Sequence, residues 1–423
     1  MTSPSQPAPA WMISIASWLT PRRLRAQATV LALCLWVVCA VDFSAPGIFD
    51  RAGNVKFQDF LPLYIAARQI AQGRASELYD QPSAETEIRT IVGGSPRIRL
   101  PNLYGPQVGL LFAPLTRFSF ATAARIWVAL SLLVYLGCIY IVWKSCPALR
   151  SHFGIVAVSA LAFPPLFHFF VRGQISVPVL ACFTAAYLAF RSDRAGLAGI
   201  ALGFLVFKPQ FLVAIPLVLL LARAWKVMVG LVLAAAAQLA LTEIYFGAPV
   251  MRAYCDTLQH PSRWISGAEL SLAPIQMHSL RSFWSLLIPW PEAALALCAL
   301  SSIVIISMAA LVLKSSAPLA LRFSALILGA VLVNPHLFVY DLLVLAPVLL
   351  VLVEWTLVSA PSASSAPFRL LLYLAFLLPL FGPLSRWTHV QLSVPVFVAL
   401  VWMLWRQSAI PSPALASNES GIV

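Results

Sequence analysis

Charged side chains are scarce in this sequence. Asp, Glu, Lys and Arg make up 10% of 423 residues, and acids are the rarer kind, 15 against 28 bases; a water-soluble chain carries about 25% charge. With 61% hydrophobic residues and a mean hydropathy of +0.87, this excludes an ordinary soluble domain and describes a polytopic membrane protein. Cysteine-pairing motifs are missing too. The seven cysteines are odd in number, with no Cys-x-x-Cys. Cys34, Cys39, Cys138, Cys182 and Cys298 lie in apolar runs and Cys146 and Cys255 in loops, so they read as packing residues, not as a disulfide framework or zinc site. The net charge of +13 lacks the basic stripe with interleaved aromatics that a nucleic-acid surface needs, so no nucleic-acid partner is expected.

What is present is a series of apolar runs. Crossing about 30 Å of hydrocarbon takes roughly 20 helical residues, because an unpaired backbone group in lipid is too costly. That rule gives about twelve candidate spans, near 26–43, 121–143, 152–170, 174–190, 195–207, 209–222, 225–245, 291–313, 317–333, 336–354, 367–383 and 390–406. The fold class is thus all-α, a polytopic transmembrane bundle with short extracytoplasmic juxtamembrane helices. Runs 195–207 and 209–222 are short and meet at Lys208-Pro209, so they are either two short tilted helices or one kinked helix.

Charge sets the threading. With the N-terminus cytoplasmic, Arg22, Arg23, Arg25, Lys144, Arg150, Arg191, Arg194, Arg223, Lys226, Lys314 and Arg406 all fall inside, as the positive-inside rule asks. The chain then divides into a cytoplasmic segment 1–25, a membrane domain 26–406 with extracytoplasmic loops 44–120 and 246–290, and a cytoplasmic tail 407–423. Arg22 to Arg25 followed by a run ending Val38-Cys39-Ala40 also has the outline of a cleaved signal. The long leading region and the many later spans favour a retained helix in a multi-pass inner (plasma) membrane protein. The Pro/Ser-containing tail reads as disordered; its Asn418-Glu419-Ser420 pattern is on the wrong side for glycosylation.

The polar residues that survive collect on the extracytoplasmic side. In QDFLPLYIAARQIAQGRASELYD, residues 58–80, the spacing predicts a helix over 59–72, with Asp59 as N-cap, Pro62 in the first turn and Gly73 at the end. Tyr64 and Arg68, four apart, share a face. Asp59 is equally placed to act as a general base at a membrane-surface cleft, and the two roles do not exclude one another. LPNLYGPQVGLLFAPL, residues 100–115, suits a re-entrant or interfacial segment presenting Asn102, Tyr104 and Gln107, with loop packing as the alternative. Arg172 and Gln174, Lys208 and Gln210, His278 and Arg281, and His336 in NPHLFVYD complete the polar set. An ionisable group at membrane depth is a functional candidate. Lys208, Arg172 and Arg281 could each meet a phosphate or snorkel to the surface. His278, His336 and Asp341 lack metal-motif spacing, so no metal is expected.

Taken in order, Asp59-Phe60, Tyr64, Ala66-Ala67-Arg68, Gly73, Leu78-Tyr79-Asp80, Tyr104-Gly105-Pro106, Ala113-Pro114-Leu115, Gly173-Gln174, Lys208-Pro209-Gln210, Pro335-His336 and Tyr340-Asp341 resemble glycosyltransferase family 87 across about residues 28–406. Each motif is common alone; the ordered set carries the resemblance. It implies a type C glycosyltransferase fold, and a polyprenyl-phosphate sugar as donor with a glycolipid or glycan acceptor outside the cytoplasm. Mannose is the first expectation for the sugar. It also implies an acid in the first extracytoplasmic loop as base, the position Asp59 matches. No cofactor is expected. No glycine-rich phosphate loop and no cytoplasmic Asp-x-Asp pair occurs, consistent with a donor that is not a nucleotide sugar.

The expected chemistry is one inverting displacement. Asp59 takes the acceptor proton, and Lys208, with Arg68 or Arg172, stabilises the departing phosphate. Tyr64, Asn102 and Gln107 would hold the acceptor sugar. A membrane transporter or flippase is the rival from another class, since broken helices with buried charge also mark secondary transporters. Against it, no inverted repeat relates the halves. A polysaccharide polymerase or ligase would share the architecture and transfer a preassembled glycan.

Overall fold

The computed structural model describes residues 10–93, 102–260, 274–359 and 365–409. The glycosylation pattern at Asn418, most of the tail, Leu100 and Pro101 of the 100–115 segment and the middle of loop 246–290 lie outside the described residues. Among the described residues the chain is helical and has no strand; its only extended pairings are isolated bridges, Phe49 with Val55 and Met277 with Phe338.

Six helices are long and apolar enough to cross a membrane: Pro21–Phe43, Phe120–Lys144, Trp225–Phe246, Pro291–Lys314, Val339–Ser359 and Ala366–Thr388. Pro147–Ala162 and Pro164–Arg172 make a seventh if taken as one span bent by 45°. The remaining expected spans are helical but shorter: Ser176–Arg191, Ala195–Phe207, Pro209–Leu221, Leu319–Leu332 and Ser393–Ser408. Apolar composition signals burial. A helix enclosed by protein need not match the bilayer's thickness, which is why Leu319–Leu332 is almost wholly buried. The choice left open at Lys208 resolves as two short helices. Pro209 disfavours helical geometry at the residue before it, and Lys208, at φ −133° and ψ 70°, separates two 3-10 turns, Phe204–Phe207 and Pro209–Leu212.

Helix direction sorts the polar residues to two ends. Phe43, at the C-terminal end of Pro21–Phe43, packs on Phe57, while Gln27 near its start accepts from the Tyr373 hydroxyl at 3.2 Å. Ser176, at the start of Ser176–Arg191, bonds Asp341; Tyr187 near its end shares a 3.2 Å hydrogen bond with Ser145. Asp341 opens the helical stretch on which Glu354, one end away, accepts from the Ala148 and Leu149 N–H groups at 2.9 and 3.1 Å. One end therefore carries the residues around Asp59. The other carries Lys144, Arg150, Arg191 and the Arg22–Arg25 group.

Helices also fill the two long connections. Leu61–Ala71 and Gln81–Val92 follow the first span, the latter capped by Asp80, whose Oδ2 accepts from the Ser83 N–H at 2.9 Å. Ala248–Gln259 follows Trp225–Phe246 and holds Cys255, placed in a loop by the sequence. All seven cysteines are free.

Candidate active site

The site is assembled from chain breaks. Phe57 adopts a left-handed conformation, φ 56°, and Gln58–Phe60 forms one 3-10 turn before the helix Leu61–Ala71. The helix expected over 59–72 thus starts later, and its N-cap is Phe60, without a side-chain cap bond. Asp59 is not the cap. It sits too early in the chain, and a donor from elsewhere takes its carboxylate. Gly73, at φ 72°, ends the helix as expected.

That donor is Gln174. The helix Pro164–Arg172 stops at Gly173, whose φ is 70°, and a Cβ there would fall 2.9 Å from the Phe57 Cβ and 3.1 Å from the Phe60 Cβ. Only glycine lets the 172–174 turn close onto the 57–60 turn. Trp127 fixes this turn, its indole N–H donating to the Gly173 and Gln174 carbonyls, each at 3.2 Å. Gln174 then donates from Nε2 to Asp59 Oδ2 at 2.9 Å, while its Oε1 accepts from the Tyr104 hydroxyl at 3.0 Å and from the Ile175 N–H at 3.1 Å. The two acceptor bonds orient the amide so that a donor faces Asp59. Tyr104 is itself held by its carbonyl, which accepts from the Tyr79 hydroxyl at 2.7 Å, and by the Asn102 side chain, which accepts its N–H at 3.3 Å.

Below lies a buried ion pair. Lys208 and Asp341 are 2% and 1% exposed, and the Lys208 ammonium donates to Asp341 Oδ1. The same oxygen accepts from Ser176 Oγ at 2.9 Å, and Oδ2 from the Phe338 N–H at 3.3 Å. The Lys208 ammonium lies 5.7 Å from the centre of the Tyr340 ring. The sequence offered Lys208 as a cation awaiting phosphate; the fold gives it a carboxylate.

Electrostatics tie the two levels together. Burial raises the Asp59 pKa above its ordinary 3.8, opposed first by the charge of Arg172, then by the Gln174 hydrogen bond and by Lys208, while Asp341 adds to the rise. Arg172 is half-buried at the end of its helix and makes no hydrogen bond or ion pair among the described residues. Asp59 Oδ1 likewise has no hydrogen-bond partner among them. One Asp59 oxygen is thus left over among the described residues, within the electrostatic influence of the Arg172 guanidinium.

The other expected residues divide. His336 joins the cluster: its ring meets Phe338 edge-on at 4.8 Å, and burial lowers its pKa against the pull of Asp341. Arg281 is exposed and donates to the Pro335 carbonyl at 3.2 Å, at the rim. Gln210 is half-buried in the turn after Lys208. His278 is a brace: its N–H donates to the Leu337 carbonyl at 2.9 Å and its Nδ1 shares a 2.8 Å hydrogen bond with Ser393, and burial pushes its pKa down to about 3. Tyr64 and Arg68 turn to the flanking helices. The Tyr64 hydroxyl donates to the Phe118 carbonyl at 2.6 Å, and Arg68 lies 3.6 Å from Glu87. Both side-chain amide atoms of Gln107 are buried without a protein partner among the described residues. Nor do His278, His336 and Asp341 come together there as a metal-binding group. Sequence reasoning missed Ser176 and Tyr340 as site residues and Asp341 as the partner of Lys208; Ser176 follows the Gly173-Gln174 motif, and Tyr340 and Asp341 close NPHLFVYD, a motif already singled out.

Beside the site runs an apolar groove of about 660 Å³, lined among others by Trp36, Phe43, Phe57 and Phe170, with Lys56 and Arg125 as its charged residues. Phe57 and Phe170 stand two positions before Asp59 and Arg172. The Lys56 ammonium is held by the Ala45 and Gly47 carbonyls at 2.5 and 3.1 Å.

Comparison with known families matches residues 102–339, more than half of the chain, to the model of glycosyltransferase family 87. Tyr104, Arg172, Gln174, Lys208 and His336 fall within the match, Asp59 and Asp341 outside it. No curated protein and no solved structure matches.

Proposed function

The chain belongs to glycosyltransferase family 87 and is a multi-pass membrane glycosyltransferase, and from that premise we propose that it moves a hexose, mannose first, from a polyprenyl-phosphate donor to a glycolipid or glycan acceptor outside the cytoplasm of the inner membrane. Supporting this is one arrangement: Asp59, with one carboxylate oxygen free among the described residues, is bonded by Gln174 in the turn that carries Arg172, a cation with no protein partner among them whose charge acts on the Asp59 carboxyl.

The displacement balances as follows. The acceptor hydroxyl gives its proton to Asp59 as its oxygen bonds the anomeric carbon. The bond from that carbon to the phosphate oxygen breaks, and its electron pair leaves on the phosphate. One inversion results. Arg172 is the group best placed to meet the phosphate charge, since Lys208 is already neutralised by Asp341; the ion pair is structural, with His336 next to it. Tyr104 acts through Gln174, and Asn102 through the Tyr104 backbone. The groove at Phe57 and Phe170 supplies an apolar lane for an isoprenoid chain, its wall reaching Phe57, two positions before Asp59. With the site end outside, the basic end faces the cytoplasm, in accord with the positive-inside rule, and both termini lie there. Against a transporter, the broken helices bring Gln174 to Asp59 and Lys208 to Asp341 at one end of the molecule.

The test is transfer by purified protein from polyprenyl-phosphate mannose and from nucleotide-linked mannose, for the parent and for Arg172→Gln. Product forms from the lipid donor only, and the variant raises the donor KM by about tenfold or more, as the loss of a charge-assisted contact worth about 1.5–3 kcal/mol requires. Transfer from the nucleotide sugar alone, or an unaltered donor KM, overturns the reading.

A further inference from the structure

The end of the molecule remote from Asp59 holds a second cavity, of about 780 Å³, within the roughly 300–1,000 Å³ of small-molecule sites. It opens between the helices Pro21–Phe43, Phe120–Lys144, Phe153–Ala162, Leu345–Ser359 and Ala366–Leu377. Its wall is apolar over most of its depth, with Leu31, Ile155, Leu350 and Phe376 among its residues. Arg369 supplies charge, and His152 a polar ring. Arg25, between the lining residues Leu24 and Ala26, lies at the His152 side: its guanidinium carbon would be 3.7 Å from a Cβ on Gly154, two residues after His152.

Neither Arg25 nor Arg369 forms an ion pair among the described residues, and the Glu354 carboxylate on the adjoining helix is committed to the Ala148 and Leu149 N–H groups. An apolar chamber with guanidinium groups at its edge selects an amphiphile whose head is an anion. The polyprenyl donor is not a suitable occupant. About 24 Å of helix separates Gln27, on the cavity wall, from Phe43, which packs at the Asp59 end, so a phosphate held by Arg369 is out of reach of Asp59.

We propose that this cavity binds an anionic glycerophospholipid of the leaflet opposite the active site, its phosphate at Arg25 and Arg369 and an acyl chain between the five helices. The ligand fills space that would otherwise lie empty between helices carrying Tyr135 and Glu354, and it stabilises the folded protein in proportion to its occupancy.

Delipidated full-length protein in neutral detergent, titrated with phosphatidylglycerol or phosphatidylcholine and followed by thermal unfolding and native mass spectrometry, tests this without reference to sugar transfer. Phosphatidylglycerol raises the melting temperature saturably and is retained at one per chain, whereas phosphatidylcholine does neither. Arg369→Gln and Arg25→Gln each weaken phosphatidylglycerol about fivefold, the effect of removing one charge at a lipid surface. Lys314→Gln, at the end of a helix that does not line the cavity, leaves it unchanged. Equal response to the two lipids, equal affinity in the arginine variants, an equal loss in Lys314→Gln, or retention of a polyprenyl phosphate at this site overturns the proposal. Because none of these readouts depends on Asp59, failure here leaves the proposed transfer chemistry standing.

Discussion

Asp59 and Asp341 belong to one cluster and have opposite surroundings. Asp341 is enclosed, and its two oxygens receive an ammonium, a hydroxyl and a backbone N–H. Asp59 receives one side-chain amide and keeps an oxygen free among the described residues. The fully bonded carboxylate has nothing left to offer a substrate and holds the lysine-bearing break in place. The under-bonded one keeps its basicity. A pair of identical groups thus differs in the number of donors each receives, and the proposed division of the two between structure and chemistry is one that variants can test.

The largest effect is expected at Asp59. General-base assistance is worth about 10²–10⁴-fold, so Asp59→Asn lowers transfer by that factor in a purified assay. Its melting temperature stays level or rises. Burial raises the folded-state pKa of Asp59, so any stability it contributes is present below the unfolded pKa and lost as pH rises through the folded value; at neutral pH its charge opposes folding. A variant that loses activity together with its fold would erase the contrast.

Next comes the ion pair. Removing one partner of a buried pair costs about 3–5 kcal/mol, so Lys208→Met and Asp341→Asn each lower the melting temperature strongly, and the double variant Lys208→Met with Asp341→Leu regains much of the loss. Additive losses in the double variant would mean that the two side chains do not act as a unit. The smallest effect is a shift in pH profile. The Gln174 hydrogen bond lowers the Asp59 pKa, so in Gln174→Leu the pKa rises and the acid limb of the rate profile moves to higher pH, while the rate well above that limb is nearly kept. A limb that stays in place would show that Asp59 does not set it.

Legibility in the sequence followed the same division. Asp59 could be singled out because an acid is conspicuous where charge is 10% of the chain. The break at Lys208 was written in Pro209, since proline restricts the residue before it wherever it occurs. What Lys208 meets could not be read, because Asp341 stands 133 positions away and no local rule connects them. Tyr64 and Arg68 do share a helical face, as spacing says, but the face looks toward Phe118 and Glu87; periodicity gives a direction on the helix and not what lies beyond it. The count of about twelve spans meets the same limit: six helices among the described residues, or seven with the bent pair, are long and apolar enough to cross a membrane. Hydropathy reports that Ser176–Arg191 and Leu319–Leu332 avoid water, and both a lipid and a protein environment satisfy that.

The contact at Gly173 bears on how mutational maps of such an enzyme should be interpreted. A methyl group there would press on Phe57 and Phe60 and displace the turn that carries Asp59, so Gly173→Ala would score as inactive in a saturation screen although the position contributes no atom to any substrate. Screens ranked by lost turnover will therefore rate a void as highly as a reactive side chain, and only a binding or protonation measurement separates the two.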